Sequence, residues 1–229
     1  QLCFTFSACT PLMLHMATWK MGTRPSGQRL LSERSYDGIT LQEVARGARC
    51  SIGAFYHHFT NKDVFYTALV ERSVTEVREE LFIKLGAERF SGMPIAAVMH
   101  AVVGFVAEAF RTHQGVVRAV QKTAMDAPEA WNPIRELGSD ITDHVSALLT
   151  SEAVPGGGHH NSVAVAFAMQ LIYSTLLNAV INHPGEQADL ERPGPLRLES
   201  DEIVHHLTHA AVQYLAAPIS PASEPGQPD

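Results

Sequence analysis

Side chains that donate hydrogen bonds are concentrated in residues 51–62, which read SIGAFYHHFTNK. Hydroxyl groups, two imidazoles and an ammonium group on one short helical stretch suit contacts with the phosphate oxygens and base edges of DNA. The helix is predicted to begin at Ser51, whose hydroxyl can accept a hydrogen bond from the first turn. Ile52, Phe55 and Phe59 follow at helical intervals and are predicted to point inward.

A second short helix is predicted immediately before this stretch. Residues 40–43 read Thr-Leu-Gln-Glu and match a capping box, in which the threonine and glutamate side chains satisfy backbone N–H groups of the first turn. Apolar residues then recur at the spacing of one buried helix face. Two short helices joined by a tight turn form a helix-turn-helix, whose second helix enters the major groove of DNA with its N-terminal residues nearest the bases.

That geometry divides the polar residues into two sets. The predicted base-facing residues are Ser51, Ile52, Gly53 and Ala54, and the predicted phosphate-facing residues are Thr40, Tyr56, His57, His58 and Lys62. Glycine inside a helix costs about 1 kcal/mol relative to alanine, so Gly53 indicates close approach to the DNA. The competing interpretation is a small aromatic core with solvated histidines, and for Phe55 and Phe59 the core interpretation is adopted.

The remaining chain is predicted to be helical. A turn at residues 36–38 ends a first helix, in whose likely span Pro25 occurs, and a possible capping box at residues 60–63 begins a helix to about residue 85. Further helices are predicted over 95–110, after Gly115 to about 125, from Asn132 to about 148, over 162–182 and over 201–216. Because no useful strand alternation occurs, the predicted fold class is all-α.

Charge is distributed unevenly along the chain. The formal net charge is −7, but residues up to 64 carry seven Lys and Arg against four Asp and Glu. A mildly basic front suits phosphates, while the acidic remainder discourages indiscriminate binding. Three cysteines, at positions 3, 9 and 50, predict no disulfide framework and favour a reducing cytoplasm. Cys50 can be an oxidation sensor or a small buried residue, and the buried position is preferred.

Sites of other kinds find little support. HExxH, GxSxG, P-loop and GxGxxG motifs do not occur, so we expect no enzyme and no cofactor. His205 and His209 lie one turn apart, but no cysteine or completing carboxylate accompanies them, so no metal site is predicted. Residues 162–182 are apolar nearly all round, yet Gln170 and Asn178 interrupt them, and no membrane span is predicted.

The helix-turn-helix residues resemble the DNA-binding signature of the TetR/AcrR family of transcriptional regulators. The resemblance rests on YDGIT at 36–40, Val44-Ala45, SIGAFYHHF at 51–59 and Asn61-Lys62-Asp63. It implies a dimeric, all-helical repressor with an N-terminal three-helix DNA-binding domain and a C-terminal helical domain that binds a small effector. The implied domains are an irregular arm at 1–25, a DNA-binding domain at 26–72, an effector and dimerisation domain at 73–217 and a disordered tail at 218–229.

The resemblance also implies particular partners. These are a palindromic double-stranded DNA operator, a second copy bound through helices 162–182 and 201–216, and a small, mostly apolar effector. The candidate effector residues are Met99, His100, Val103, Phe110, Met125, Trp131 and His144, although most can equally be core residues. Arg49 departs from the family, which usually has glycine in this turn. With Pro25, it motivates the alternative of a helical ligand-binding or interaction protein with weak or no specific DNA binding.

Overall fold

Helices account for the regular structure in the part of the chain that a computed structural model describes, residues 24–150, 162–182 and 200–216. The α-helices are α1 (Arg24–Glu33), α2 (Leu41–Gly47), α3 (Ile52–His58), α4 (Lys62–Lys84), α5 (Ile95–Thr112), α6 (Gln114–Thr123), α7 (Asn132–Thr150), α8 (Ser162–Leu176) and α9 (Ser200–Ala216). Short 3₁₀ turns lie at Tyr36–Gly38, Ala87–Phe90 and Pro128–Trp131, and α8 continues as a π-helix over Leu177–Asn182. The all-α prediction is confirmed.

The helices form two compact units. The first lies within Gln1–Glu80 and Ala109–Gly138, and the second within Leu81–Glu108 and Ser139–Asp229. Helix α6 therefore falls in the first unit with the N-terminal helices, whereas the domain predicted at 73–217 includes it. The predicted arm up to residue 23, the glycine loop at 155–158, the loop at 184–195 and the tail at 218–229 lie outside the described residues.

One apolar core holds the first unit together. Val44, Leu69 and Val120 are fully buried in it, so α2, α4 and α6 meet at the same core. Helix α1 contributes Leu30 and Leu31, which are 3% and 5% exposed. Burial of a leucine side chain stabilises a fold by roughly 1.5–3 kcal/mol. Leu30 and Leu31 therefore hold α1 against the other helices of the first unit.

The second unit has its own core. Val98, Met99 and Val102 of α5 are fully buried, as are Val145 and Leu149 of α7. Helix α8 buries a matching set of side chains: Val165 and Met169 are 0% exposed and Ile172 is 1% exposed. Two stretches, Ile95–Thr112 and Ser162–Ala179, are long and apolar enough to cross a membrane by length and composition alone, a test that core helices of soluble proteins also pass.

Candidate nucleic-acid interface

Two side-chain caps define the helix-turn-helix. The Thr40 hydroxyl accepts a hydrogen bond from the Glu43 amide at 3.2 Å, and the Thr40 amide donates to the Glu43 carboxylate at 2.9 Å, which completes the predicted capping box. At the next helix the Ser51 hydroxyl accepts from the Ala54 amide at 3.1 Å. Each cap satisfies a backbone donor that the first turn leaves unpaired, so both helices begin where the sequence predicted.

The turn between α2 and α3 places a non-glycine residue in the left-handed region. Arg49 has φ of 56°, its amide donates to the Arg46 carbonyl at 3.1 Å, and the Cys50 amide donates to the Ala45 carbonyl at 3.0 Å. This pair of bonds is the Schellman arrangement that ends many helices, in which glycine usually occupies the left-handed position. The turn therefore keeps the geometry of a glycine turn while carrying an exposed arginine.

Three aromatic rings hold α3 against the rest of the first unit. Phe55 and Phe59 are 2% and 1% exposed, and both lie against Phe65 of α4 with ring centroids 5.4 and 5.1 Å apart. Tilted and edge-on ring pairs at such distances add about 0.5–1.5 kcal/mol each beyond burial. The core role predicted for these two phenylalanines is confirmed.

Helix α1 is regular and lies in the same core. Pro25 is its second residue, in the first turn, where the missing N–H would have no helical partner. The buried Ser26 hydroxyl donates to the Val44 carbonyl at 3.2 Å and so joins α1 to α2. Pro25 suggested that this helix would be poorly formed. The helix is not interrupted, because it begins at Arg24 and the proline lies in its first turn.

All four predicted base-facing residues of α3 are exposed. Ile52 is 40% exposed, so the prediction that it points inward was wrong, whereas its predicted position facing the bases remains available. A Cβ on Gly53 would meet no atom within 4 Å. The chain's own packing therefore gives no reason for a glycine there. The Ser51 hydroxyl accepts the hydrogen bond from the Ala54 amide. The role of Ser51 in this structure is therefore to begin the helix.

The predicted phosphate-facing residues differ in availability. Tyr56 is 47% exposed, Thr40 and His57 are exposed, and His58 is half-buried with its ring 5.2 Å from that of His57. Lys62 is more constrained: its Nζ lies 4.3 Å from the centroid of the Tyr36 ring and donates to the Asp37 carbonyl at 3.4 Å. Desolvation lowers the pKa of Lys62 from its ordinary value. The ammonium group is thus held beside the turn at Tyr36–Gly38.

Tyr36 is a positioning residue that the sequence did not single out. Its hydroxyl donates to the Asp63 carboxylate at 2.6 Å, and its ring packs 4.9 Å from that of Tyr66. Burial, followed by the hydrogen bond to Asp63 and its negative charge, raises the pKa of Tyr36, which keeps the hydroxyl a donor. The sequence showed a turn signal and part of the family resemblance here but no role for the Tyr36 hydroxyl, because a partner 27 positions away leaves no local pattern.

Two arginines add positive charge beside the predicted contacts. Arg46, in the last turn of α2, and Arg49, in the turn that follows, are both exposed. Arg34 lies 2.7 Å from the Glu43 carboxylate, which it shares with the cap of α2. The hydrogen bond from the Thr40 amide, then Arg34, lowers the pKa of Glu43 to about 2. The sequence predicted the basic character of residues up to 64 and singled out Arg49 as a departure from the family, but it did not single out Arg46.

The candidate effector residues are divided between the two units. Met99, His100, Val103 and His144 lie in the second unit, and Phe110, Met125 and Trp131 lie in the first. Met99 and Val103 are fully buried, whereas Met125 is 85% exposed and His100 is exposed. Trp131 packs against the core of the first unit. His144 hydrogen-bonds the Leu85 carbonyl at 2.7 Å through Nε2 and contacts the Phe82 ring edge-on.

The two helices predicted to dimerise carry distinct exposed faces. On α8, Val163, Phe167 and Leu171 are 70%, 49% and 44% exposed and recur every four residues, so they form an apolar stripe. On α9, the side chains of residues 205, 206 and 209, all histidines, are exposed. Among the described residues, no group of three or more metal-ligating side chains converges on one point.

Comparison with known protein families gives a match over the helix-turn-helix. Residues 26–69 match the sequence model described as bacterial regulatory proteins, tetR family. Over 47 residues the chain is 43% identical to the uncharacterized HTH-type transcriptional regulator YwcC of Bacillus subtilis, a match spanning 20% of this chain and 21% of that protein. The match therefore covers about a fifth of the length of that relative.

Other comparisons extend over most of the chain. It is 24% identical to the HTH-type transcriptional regulator EthR of Mycobacterium tuberculosis over 185 residues, which are 79% of this chain and 81% of that protein. The solved structure of Salmonella enterica GusR superposes with a TM-score of 0.60 and 16% identity, covering 88% of this chain and 97% of that chain. The fold is thus shared along most of the chain, whereas the family model matches only residues 26–69, from α1 to the first turns of α4.

Proposed function

We propose that the chain is a transcriptional regulator of the TetR family, a cytoplasmic repressor that binds a palindromic operator as a homodimer; the family-model match and the TetR-like fold support this. A small, mostly apolar effector then releases it from the DNA. The observation that carries the proposal is the exposed N-terminal turn of α3, which two side-chain caps and a buried aromatic cluster hold in place. An exposed helix start fixed on a rigid support is what major-groove recognition requires.

Roles within the proposed interface follow from exposure and chemistry. Ile52, Gly53 and Ala54 are small enough for their helix to approach base edges closely, and the apolar side chains suit thymine methyl groups. Tyr56, His57 and Lys62 donate to phosphates, as does the exposed Thr40 at the start of α2. Ser51 and His58 complete the proposed contacts. The mildly basic front supports binding that weakens as salt rises.

The dimer is proposed to form through α8 and α9. An apolar stripe on an exposed helix face is unusual for a surface that stays in water, and a second copy can cover it. Two-fold symmetry places the same stripe of each copy against the other. It would also present the two α3 helices to successive major grooves of a palindrome.

The effector is proposed to bind in the second unit, close to α5. Met99 and Val103 supply apolar surface there, and His144 supplies a polar group that is already fixed by the Leu85 carbonyl. His100, on the same helix, remains a further candidate there. Phe110, Met125 and Trp131 lie in the first unit and stay predictions from the sequence. The effector can release the operator only by binding one dimer state more tightly than the other.

The proposal is tested by titrating labelled genomic fragments with the purified protein at fixed salt. We expect at least one fragment to bind about 10³-fold or more tightly than random DNA. Lys62→Ala should weaken binding to every sequence and reduce the salt slope by about one, whereas substitutions of Ala54 should change which base is preferred. Tyr56→Phe should weaken binding to all DNA sequences by a similar factor.

A matched control is available on the same helix as Lys62. Lys84→Ala removes the same side chain at the other end of α4, and should leave DNA affinity unchanged. If the protein binds all fragments with equal affinity, the proposed repressor function is refuted. A uniform loss for Ala54 variants would refute the base-facing role while leaving DNA binding itself intact. The alternative is a protein of the same fold without specific DNA binding. The regular α1 weakens it, because Leu30 and Leu31 of α1 share a buried core with Phe55 of α3.

A further inference from the structure

The turn between α2 and α3 carries two arginines that have no part in the DNA contacts proposed above. Arg46 lies in the last turn of α2, Arg49 lies just beyond the end of that helix, and both are exposed. The Arg49 amide donates to the Arg46 carbonyl at 3.1 Å, so the two residues belong to one turn of the chain. We call this pair the basic turn. It places two cations immediately before the start of α3.

The charge of the basic turn is not compensated inside the described part of the first unit. Arg29 is paired with Glu33 at 2.8 Å, and Arg34 with Glu43 at 2.7 Å. Among the described residues, no hydrogen bond or ion pair engages the guanidinium group of Arg46 or Arg49. An external anion can therefore bind either cation without displacing a partner from the fold.

The backbone of Arg49 gives an independent reason to look for a function. In the part of the chain that the structure describes, Arg49 is the one non-glycine residue with positive φ, at 56°. Residues held in this region are strained, and such strain is found most often at functional sites. Positive charge at a helix C-terminus is stabilising, but Arg46 already supplies it from within the last turn of α2. Folding alone therefore does not account for an arginine at position 49.

The position of the basic turn in the helix-turn-helix indicates which anion it meets. In this motif the first helix crosses the DNA backbone, and the second enters the major groove by its N-terminus. The basic turn joins these two helices, and only Cys50 separates Arg49 from the Ser51 cap of α3. It therefore lies where the protein passes from the backbone into the groove. Phosphate groups border the groove there, and guanidinium groups bind phosphates through paired N–H donors.

We propose that Arg49 binds a backbone phosphate at the edge of the major groove, with Arg46 adding positive charge beside it. The phosphate contacts proposed for Tyr56, His57 and Lys62 lie in the second half of α3 and after it, so Arg49 would hold the opposite end of this helix. The inference rests on the proposed DNA-binding function. Phosphates carry no sequence information, so Arg49 is a positioning residue that raises affinity without changing base preference.

The experiment measures binding of the full chain to two duplexes of equal length at several salt concentrations. One duplex is the genomic fragment that binds most tightly, and the other has a random sequence. Arg49→Asn removes the charge, and asparagine tolerates the left-handed region. We expect this variant to bind both duplexes about three- to fivefold more weakly at low salt. The salt slope should shrink by about 0.9, which corresponds to one phosphate contact.

Two further variants separate the contact from a general loss of charge. Arg49→Lys retains a cation at the same backbone position and should keep the parent salt slope. Arg89→Asn is the matched control, because Arg89 is an exposed arginine in the 3₁₀ turn Ala87–Phe90 of the second unit and likewise has no side-chain partner within the described ranges. It should leave the slope unchanged. Arg49→Asn should melt no lower than the parent, which excludes unfolding as the cause of weaker binding.

The outcomes distinguish this contact from the repressor function itself. An unchanged slope in Arg49→Asn, an equal reduction in Arg89→Asn, a reduced slope in Arg49→Lys, or a loss confined to the tight fragment would each overturn the phosphate contact, even where the parent binds that fragment specifically. If the parent shows no specific fragment but Arg49→Asn still lowers the slope on random DNA, the repressor function fails and the phosphate contact stands.

Discussion

Replacing Arg49 by glycine should stabilise the protein, because the turn between α2 and α3 has a glycine conformation without a glycine. The left-handed region costs an ordinary residue about 1–2 kcal/mol, which Arg49 bears at φ of 56°. Glycine has more freedom in the unfolded chain, and this reduces the gain by about 0.4–1 kcal/mol. We therefore expect Arg49→Gly to raise the free energy of unfolding by about 0.5–1 kcal/mol.

The same chemical change three positions earlier should have the opposite effect. Arg46 is exposed in the last turn of α2, where glycine costs about 0.8–1 kcal/mol relative to good helix formers. Loss of its charge beside the helix C-terminus costs about 0.3–1 kcal/mol more. Both variants lose one exposed arginine. The opposite signs follow from the backbone, left-handed at position 49 and helical at position 46, and the helix-end charge adds to the loss at position 46.

Urea denaturation of both variants beside the parent protein measures the effect. We expect the midpoint to rise for Arg49→Gly and fall for Arg46→Gly, with unchanged denaturant slopes. The two variants should differ by about 1.5–3 kcal/mol, the sum of the effects above. If Arg49→Gly unfolds at lower urea than the parent, the turn does not place this residue under strain, and the reasoning fails.

Three further changes test other parts of the structure. Gly115→Ala should destabilise the protein by about 1–3 kcal/mol in urea, because its Cβ would lie 2.4 Å from backbone atoms of α1 that cannot move aside. Asn61→Ala should cost about 1 kcal/mol by thermal unfolding, since its side chain accepts from the Val64 amide at 2.8 Å and caps α4. Glu43 has its pKa lowered to about 2 from 4.5, so its contribution to stability is present above pH 4.5 and is lost as pH falls toward 2. Glu43→Gln should reduce the acid dependence of the melting temperature in that interval.

Each of these changes has its own control. Gly104→Ala, in α5, places a Cβ where no atom lies within 4 Å, and should stabilise by up to about 1 kcal/mol. A loss there as large as at Gly115 would show that close packing is not the cause. Thr60→Ala tests the neighbour of Asn61 and should be nearly neutral. An acid dependence that persists unchanged in Glu43→Gln would assign it to other carboxylates.

Local signals predicted the helix-turn-helix well. A capping box, a serine cap and apolar residues at helical spacing act within a few positions, so they can be recognised without tertiary structure, and both caps form as predicted. The possible box at residues 60–63 was less exact. Asn61 rather than Thr60 caps α4, because two adjacent residues of similar capping ability differ only in where the preceding turn ends.

Long-range features could not be predicted in the same way. Ile52 continues an apolar pattern but lies in the first turn of a seven-residue helix, too short for periodicity to fix its direction. Met125 was assigned to an interior by its type alone and is 85% exposed. The grouping of α6 with the N-terminal helices depends on Gly115 fitting against α1, a contact 84 positions apart that no local pattern contains.

Helix α3 is attached to the fold along one side, through Phe55 and the following Phe59, whereas residues 52–54 in its first turn are exposed. Exchanges at positions 52–54 are therefore nearly free of folding penalties. After gene duplication, one copy can drift to a different operator by single substitutions without passing through an unfolded intermediate. A randomised library at these three positions should consist almost wholly of folded proteins, which makes this turn a practical place to engineer new specificities.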